Sequence, residues 1–284
     1  MKQKIFVRLI GGYGNQLFIY AFGKSLAKQT GRELILDDVS GFGNPSDEYK
    51  SVFALDGLNI DVKIISNTIF KYFIANKYFW YIANKIGVSY VEPSQKKYNN
   101  ILPSNKLFFQ GYWQSYLYFD NYKKLLKKQI TPTKVLHKNL SKYKKTILKS
   151  KNSIAIGMRF YEETYNSRNK YIIKDQSYYF KAIKFVEKKV KNPKYFIFST
   201  HINKAKQIIN NCNIRDAIFI NPIKSKKNAK YDLYLMSLCK NFIISNGTFY
   251  WWAAYLGESQ HSIIIAPKNS FINADALPDH WTKI

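Results

Sequence analysis

Acidic side chains are scarce in this chain of 284 residues: 18 Asp and Glu stand against 45 Lys and Arg, a formal net charge of +27 at pH 7. Such an excess favours anionic partners, among them nucleotides, nucleic acid and the acidic face of a membrane, without choosing between them. Cysteine is scarcer still. Cys212 and Cys239 form no C-x-x-C pair and cannot define a disulfide framework, so a reducing, cytoplasmic setting is the simplest expectation. No uninterrupted apolar stretch approaches the roughly eighteen residues that span a bilayer. Arg8 interrupts the apolar run near the start, so neither a signal peptide nor a transmembrane helix is expected. Several chemical signatures are also missing. There is no H-E-x-x-H, no G-x-S-x-G and no Asp-x-Asp, which argues against a zinc hydrolase, a serine hydrolase and a metal-dependent sugar transferase of the Asp-x-Asp type. The histidines at 137, 201, 261 and 280 are scattered.

What is present begins with "IGGYGNQLFIYAFGKSLAKQTGREL", residues 10–34. Ile5 to Ile10 has strand composition, and Leu17, Tyr20, Ala21 and Leu26 recur at helical spacing, so a strand, a glycine turn and a helix follow one another. Such a turn lets backbone approach a ligand and points the first helical N–H groups at it, although a plain tight turn has the same composition. Two nucleotide-binding fingerprints fail on spacing. Gly12-x-Gly14-x-x-Leu17 lacks the third glycine of the dinucleotide motif, and the P-loop glycine five residues before Gly23-Lys24-Ser25 is Phe18.

The second half restarts the same rhythm. Ser153–Met158, KYFIFST, AIFI and FIISN read as strands, and SYYFKAIKFVEKKV, NKAKQIINNC and YDLYLMSLCKN as the helices between them. Alternating short strands and helices predict an α/β fold with a parallel sheet in each half, hence two Rossmann-like domains facing a cleft. The expected divisions are an N-terminal Rossmann-like domain over 1–135, a basic linker over 136–152 and a C-terminal Rossmann-like domain over 153–284. Ligands of open parallel sheets lie beyond the carboxyl ends of the strands, which directs attention to the loops after Ile10, Met158, Ser199 and Ser245.

Those loops carry the candidate chemistry. Arg159 leaves a strand end near Glu162 and Glu163, where a guanidinium can pair bidentately with phosphate or close a surface salt bridge. In SNGTFYWWAAYLG the Thr248 turn and adjacent N–H groups can cap a phosphate, whereas Trp251, Trp252 and Tyr255 read as core. Eleven lysines from Lys123 to Lys151 stand without an acid among them, at spacings that suit basic amphipathic helices on anionic lipid or a solvated face. The aromatic stretch NTIFKYFIANKYFWYIANKIGVSYVEP reads as core with a lysine fringe, or as a helix pair turned toward a membrane or an acceptor. Charge with interleaved tyrosines also permits single-stranded nucleic acid as a partner, but the order of glycine turns at strand ends disfavours it.

Taken together, RLIGGYGNQLFIYAFGKSLA, FFQGYWQSYLYF, YYFKAIKFV, YFIFS, YDLYLMSLCKNFIISNGTFYWWAAYLG and IIAPKNSF with LPDHW resemble, in order and over nearly the whole chain, the bacterial α-1,2-fucosyltransferases of glycosyltransferase family 11. The resemblance implies a GT-B fold and a metal-independent, inverting transfer of L-fucose from GDP-fucose to the 2-hydroxyl of a β-galactoside. It implies a role in a surface polysaccharide such as the O-antigen of lipopolysaccharide, with the acceptor on a lipid carrier at the inner membrane face. No cofactor beyond the GDP-sugar donor substrate is implied. The resemblance also makes the domain over 1–135 the acceptor side and the domain over 153–284 the one that binds the GDP-sugar donor. By the same resemblance Gly12, Gly14, Asn15 and Gln16 border the donor and acceptor, and Asn246, Gly247, Thr248 and Phe249 hold the nucleotide diphosphate.

One segment departs from the family. Where a His-x-Arg-Arg-x-Asp motif is expected, the chain reads Gly157-Met158-Arg159-Phe160-Tyr161-Glu162, and a Ser-Asp-Asp after the next strand is Ser199-Thr200-His201. Arg159 is the expected diphosphate contact, and Glu162 or Glu163 the expected catalytic base. A pocket that loses polar groups can come to prefer a deoxy sugar, which makes a GDP-linked 3-deoxy relative of fucose, L-colitose, an alternative donor. A catalytically inactive glycan-binding relative is the remaining alternative.

Overall fold

The structure is a computed structural model. It describes residues 3–42, 51–65, 67–93, 98–100, 105–134, 136, 138–160, 174–199, 201–220, 228–268 and 275–284. The chain divides into two compact units, Met1–Ile130 with Ile272–Ala276, and Thr131–Phe271 with Leu277–Ile284.

In the first unit, β1 (Lys4–Arg8) leads through the glycine turn into α1 (Tyr13–Thr30), whose N-cap is Gly12. The helix ends at Gly31, which adopts φ +67 and donates its N–H to Ala27 O, a left-handed stop that glycine adopts without strain. Residues Gln16–Gly23 are buried without a break, as in a helix covered on all sides. One contact fixing it is the Phe22 ring, stacked on Trp113 at 3.8 Å. Then come β2 (Glu33–Asp37), β3 (Lys63–Ile64), α2 (Thr68–Ala75), α3 (Lys77–Lys85), β4 (Ser89–Val91), β5 (Phe108–Gln110) and α4 (Lys123–Gln129). The strands pair in parallel in the order β3-β2-β1-β5-β4.

The second unit opens with α5 (Lys138–Lys149) and continues through β6 (Ser153–Met158), α6 (Gln176–Glu187), β7 (Lys194–Ser199), α7 (Ile202–Asn211), β8 (Ile218–Ile220), α8 (Ala229–Ser237), β9 (Asn241–Ile244), α9 (Thr248–Gly257), β10 (Ile264–Ala266) and β11 (Thr282–Lys283). Its sheet is also parallel, in the order β11-β10-β9-β6-β7-β8. The central strand β6 is buried along its whole length, which explains its continuous apolar sequence. Ile154, Ile156 and Met158 pack with Tyr179, Ile183, Ile197 and Ile209 from the flanking elements. Trp251, Trp252 and Tyr255 on α9 are fully buried, as the core reading expects.

The alternation of strands and helices expected from the sequence is therefore observed, and the fold is α/β with one parallel sheet per unit. The stretch expected as a basic linker, 136–152, differs. Its helix α5 belongs to the second unit, buries Leu140 and Ile147, and packs on α8, where Lys144 Nζ donates to the Tyr234 hydroxyl at 3.1 Å. The C-terminal stretch is also not wholly in the second unit. Asp275 joins the first, where its Oδ2 accepts the Tyr98 N–H at 2.6 Å. Among the described residues no helix is long and apolar enough to cross a membrane.

Candidate active site

Each sheet has one place where the chain reverses its order of strand addition. In the second unit β6, β7 and β8 build outward in one direction, and β9, β10 and β11 on the other side of β6. The switch point is between β6 and β9, where an open parallel sheet offers a crevice at its carboxyl edge. Arg159 and the segment 245–248 leave the sheet at that point.

They are bound to each other. The Arg159 N–H donates to Ser245 Oγ at 3.1 Å, and the Ser245 N–H to Gly157 O at 3.1 Å. Gly247 adopts φ +128, a conformation that disfavours any side chain, and a Cβ built there lies 3.5 Å from Arg159 Cδ. The guanidinium stem thus runs along the glycine that caps α9. With Gly247 as the N-cap, the amide end of α9 points its positive potential at the same crevice as the arginine. Thr248 and Phe249 form the first turn of α9 and are half-buried, whereas Asn246 is buried. Of the sequence-predicted donor residues, Arg159, Asn246, Gly247, Thr248 and Phe249 are brought together. Glu162 and Glu163, like Thr200, lie outside the described residues.

Two side chains here change the meaning of the divergent motif. Gly157 faces Tyr250: a Cβ at position 157 would stand 2.5 Å from Tyr250 Cδ1. The Tyr250 hydroxyl donates to Met158 O at 2.9 Å and lies 3.3 Å from Phe198 O, pinning the ring over the ends of β6 and β7. Phe160, in place of a second arginine, packs against the core of the second unit and meets the His201 ring edge-on at 6.0 Å. Sequence reasoning also missed Asp232, in the first turn of α8. Its Oδ1 is buried and meets no hydrogen-bond partner among the described residues, and burial pushes its pKa up to about 7. An acid in the first turn of a helix that enters after β8 was the available signal.

In the first unit the switch point is between β1 and β5. Arg8, the last residue of β1, donates to Gln110 Oε1 at the end of β5 (2.9 Å) and to Ser40 O, and lies over the Trp80 ring at 5.1 Å. Burial lowers its pKa, and Asp37 acts in the opposite direction. Gly11 turns the chain at φ +71, close against Tyr112, and Asn15 Oδ1 accepts from Gln114 Nε2 at 3.0 Å. The backbone of the facing loop is clamped by Glu92, whose Oε2 accepts the N–H groups of Tyr112 (2.7 Å) and Trp113 (2.9 Å). Trp113 is held at φ +53, a strained conformation for a bulky residue.

Gln16 has a different task from the one the resemblance implies. It is fully buried, Nε2 donates to Gly11 O and Val52 O, both at 2.8 Å, and Oε1 accepts the Ala54 N–H at 2.9 Å. Both amide hydrogens are engaged, so it shapes the glycine turn from beneath. Gly12, by contrast, is exposed with open space around it, Gly14 is buried inside α1, and Asn15 stands at the rim. Amide and aromatic groups around a cation are suited to fixing the orientation of a polar, ring-shaped ligand.

Two Rossmann-like units, each with polar groups gathered at the carboxyl edge of its parallel sheet, are the architecture of the GT-B fold, and the family match gives that fold its class, glycosyltransferase. The chain belongs to glycosyl transferase family 11, whose model matches residues 4–284. It is 29% identical to an alpha-1,2-colitosyltransferase of Escherichia coli, over 99% of this chain and 98% of that one. It is 27% identical to the O-antigen biosynthesis glycosyltransferase WbnK of Escherichia coli, over 93% of each. Among solved structures, NodZ alpha-1,6-fucosyltransferase soaked with GDP-fucose superposes with a TM-score of 0.55 at 14% identity, covering 90% of this chain and 93% of that one. POFUT1 in complex with GDP gives 0.52 at 13% identity, covering 93% and 98%.

Proposed function

We propose that this glycosyltransferase takes a GDP-linked 6-deoxyhexose, either L-fucose or L-colitose, and transfers it with inversion to the 2-hydroxyl of a galactoside in an O-antigen. The observation that carries this reading is Arg159 lying along Gly247 at the amide end of α9. A fixed cation and a helix N-terminus directed at one crevice stabilise the diphosphate that departs as the sugar bond breaks, and they do so without a metal ion. The acceptor proton needs a base, for which Glu162 and Glu163 are the proposed carboxylates. The names of one relative and of one structural neighbour support colitose and fucose in turn, and the loss of a second arginine at Phe160, which packs against the core, leaves one cation fewer to hold a sugar hydroxyl and so favours the deoxy donor. An acceptor assembled on a lipid carrier would bring the protein to an anionic membrane face.

The test is transfer kinetics with GDP-L-fucose and GDP-L-colitose against a panel of β-galactosides in the presence of a chelator. Colitose is expected to be preferred, and transfer to survive chelation. A preference for fucose would refute the deoxy reading, and no transfer from either donor would leave a glycan-binding protein.

Asp232 supplies a second measurement. The sign of the pH effect follows from the raised pKa. Between the ordinary carboxylate value of 3.8 and about 7 the folded protein keeps a proton that the unfolded chain has lost. Stability of the free protein therefore declines as pH rises through that window and levels off above it. Thermal melts from pH 4 to 8 should lose this component in Asp232→Asn, and an unchanged profile would remove Asp232 from the argument.

A further inference from the structure

Two short helices of the first unit, α2 and α3, carry apolar side chains on both faces. Their inner faces are accounted for: Ile74 of α2 is buried with Ile35 and Ile65, and Phe70 and Phe79 pack against that cluster. The outer faces are not covered. Ile69, Tyr72 and Phe73 on α2 and Tyr78, Tyr81 and Ile82 on α3 are between 53% and 81% exposed. Each helix is closed by an asparagine cap, Asn67 to the Phe70 N–H and Asn76 to the Tyr78 N–H, both at 2.9 Å, and Phe73 meets Phe79 edge-on at 5.0 Å across the turn. The pair is thus a defined structure that presents a large apolar surface, which soluble monomers seldom expose without a use for it.

The charge around it selects the occupant. From residue 62 to 91 the chain has four lysines and no acid, within a protein of net charge +27. Lys63 is paired with Glu33 at 2.7 Å and Lys71 with Asp38 at 3.3 Å, whereas Lys85 in the last turn of α3 is exposed. Tyrosines with an apolar ring and a polar tip, on two helices that carry lysine and no carboxylate of their own, suit the headgroup boundary of an anionic bilayer. A protein partner would ordinarily be met by a rim of both signs.

We propose that the outer face of α2 and α3 is a membrane-docking surface that seats in the interface of an anionic bilayer. This inference extends the reading of a lipid-linked acceptor, and its test is independent of that reading. The full-length protein is expected to co-sediment with vesicles of phosphatidylglycerol and phosphatidylethanolamine, more weakly with phosphatidylcholine, and more weakly as salt rises. Ile69→Ser with Tyr72→Ser and Phe73→Ser should reduce partitioning by about tenfold or more, and Tyr78→Ser with Tyr81→Ser and Ile82→Ser should do the same independently. Phe180→Ser, which removes an exposed aromatic from α6, should leave it unchanged. Both triple variants should retain transfer to a soluble acceptor, and the second should keep the wild-type melting temperature, while the first loses the Phe73–Phe79 contact and should melt slightly lower.

Failure of the wild type to bind anionic vesicles would overturn the proposal, as would triple variants that bind as well as wild type. A wild-type dimer that either triple variant converts to monomer would assign the face to a second copy instead. Vesicle binding that persists while no sugar is transferred would overturn the proposed function and leave this surface standing.

Discussion

Arg159→Ala is expected to lower kcat/KM for the GDP-sugar by about two to three orders of magnitude, the usual cost of removing one preorganised group that stabilises developing charge. The fold should survive, because Arg159 is a half-buried residue just past the end of β6, and its backbone N–H bond to Ser245 Oγ is kept in the alanine variant. The guanidinium stem lies along Gly247, at the end of α9 where a diphosphate would meet both the cation and the helix amides. Lysine should rescue poorly, since a point charge cannot reproduce a planar fork against phosphate. Ser245→Ala is a graded control. It removes the acceptor of the Arg159 N–H, so the loop should loosen and the rate fall less than with the loss of the side chain. Steady-state kinetics with saturating acceptor, alongside melting temperatures, separate these cases. Arg159→Ala activity within about threefold of wild type would move the diphosphate contact elsewhere.

The positions of Arg159 and of the turn at 246–248 were legible because both follow from a local pattern. A buried strand reads as a run of apolar residues, its end is marked by the first polar or glycine residues, and the carboxyl edge of a parallel sheet is where ligands go. β6 and β9 have that form in SIAIGM and NFII. The pairing of these two strands was not legible, since sequence gives element order and not sheet order. The switch points therefore emerge only from the topology. The first unit was less legible for a related reason. Arg8 and Gln110 are 102 residues apart and meet because β1 and β5 are neighbours, so neither residue signals the other in the sequence. Gln16 looked like a ligand contact because it stands in a glycine-rich turn, yet its three hydrogen bonds reach backbone groups that no motif announces. The basic stretch 136–152 looked like a linker because lysine dominates its composition. Its two buried apolar residues, Leu140 and Ile147, are seven apart, two helical turns on one face, and suffice to seat α5 in the second unit.

The divergence at Gly157 leads to the second large effect. A histidine is expected there by family resemblance, and its absence alone reads as a lost polar group. The structure ties the loss to Tyr250, whose ring occupies the volume that any side chain at position 157 would need. Gly157→Ala should therefore destabilise the protein by about 3 kcal/mol, the upper part of the range for an added methyl in a packed site. The ring cannot withdraw without giving up the bond to Met158 O. In a Tyr250→Ser background the same substitution should cost little, because the smaller side chain vacates the volume, and a double-mutant cycle should give a coupling of about 2 kcal/mol. Equal costs in the two backgrounds would mean that the ring moves freely and that Gly157 is not held by it. If the coupling is found, position 157 and position 250 are one choice and not two: either a side chain at 157 reaches the crevice beside Arg159, or a tyrosine at 250 closes the space. A change of donor preference then requires both substitutions, and Gly157→His with Tyr250→Ser is the variant in which a shift from colitose toward fucose should be sought by competition between the two GDP-sugars.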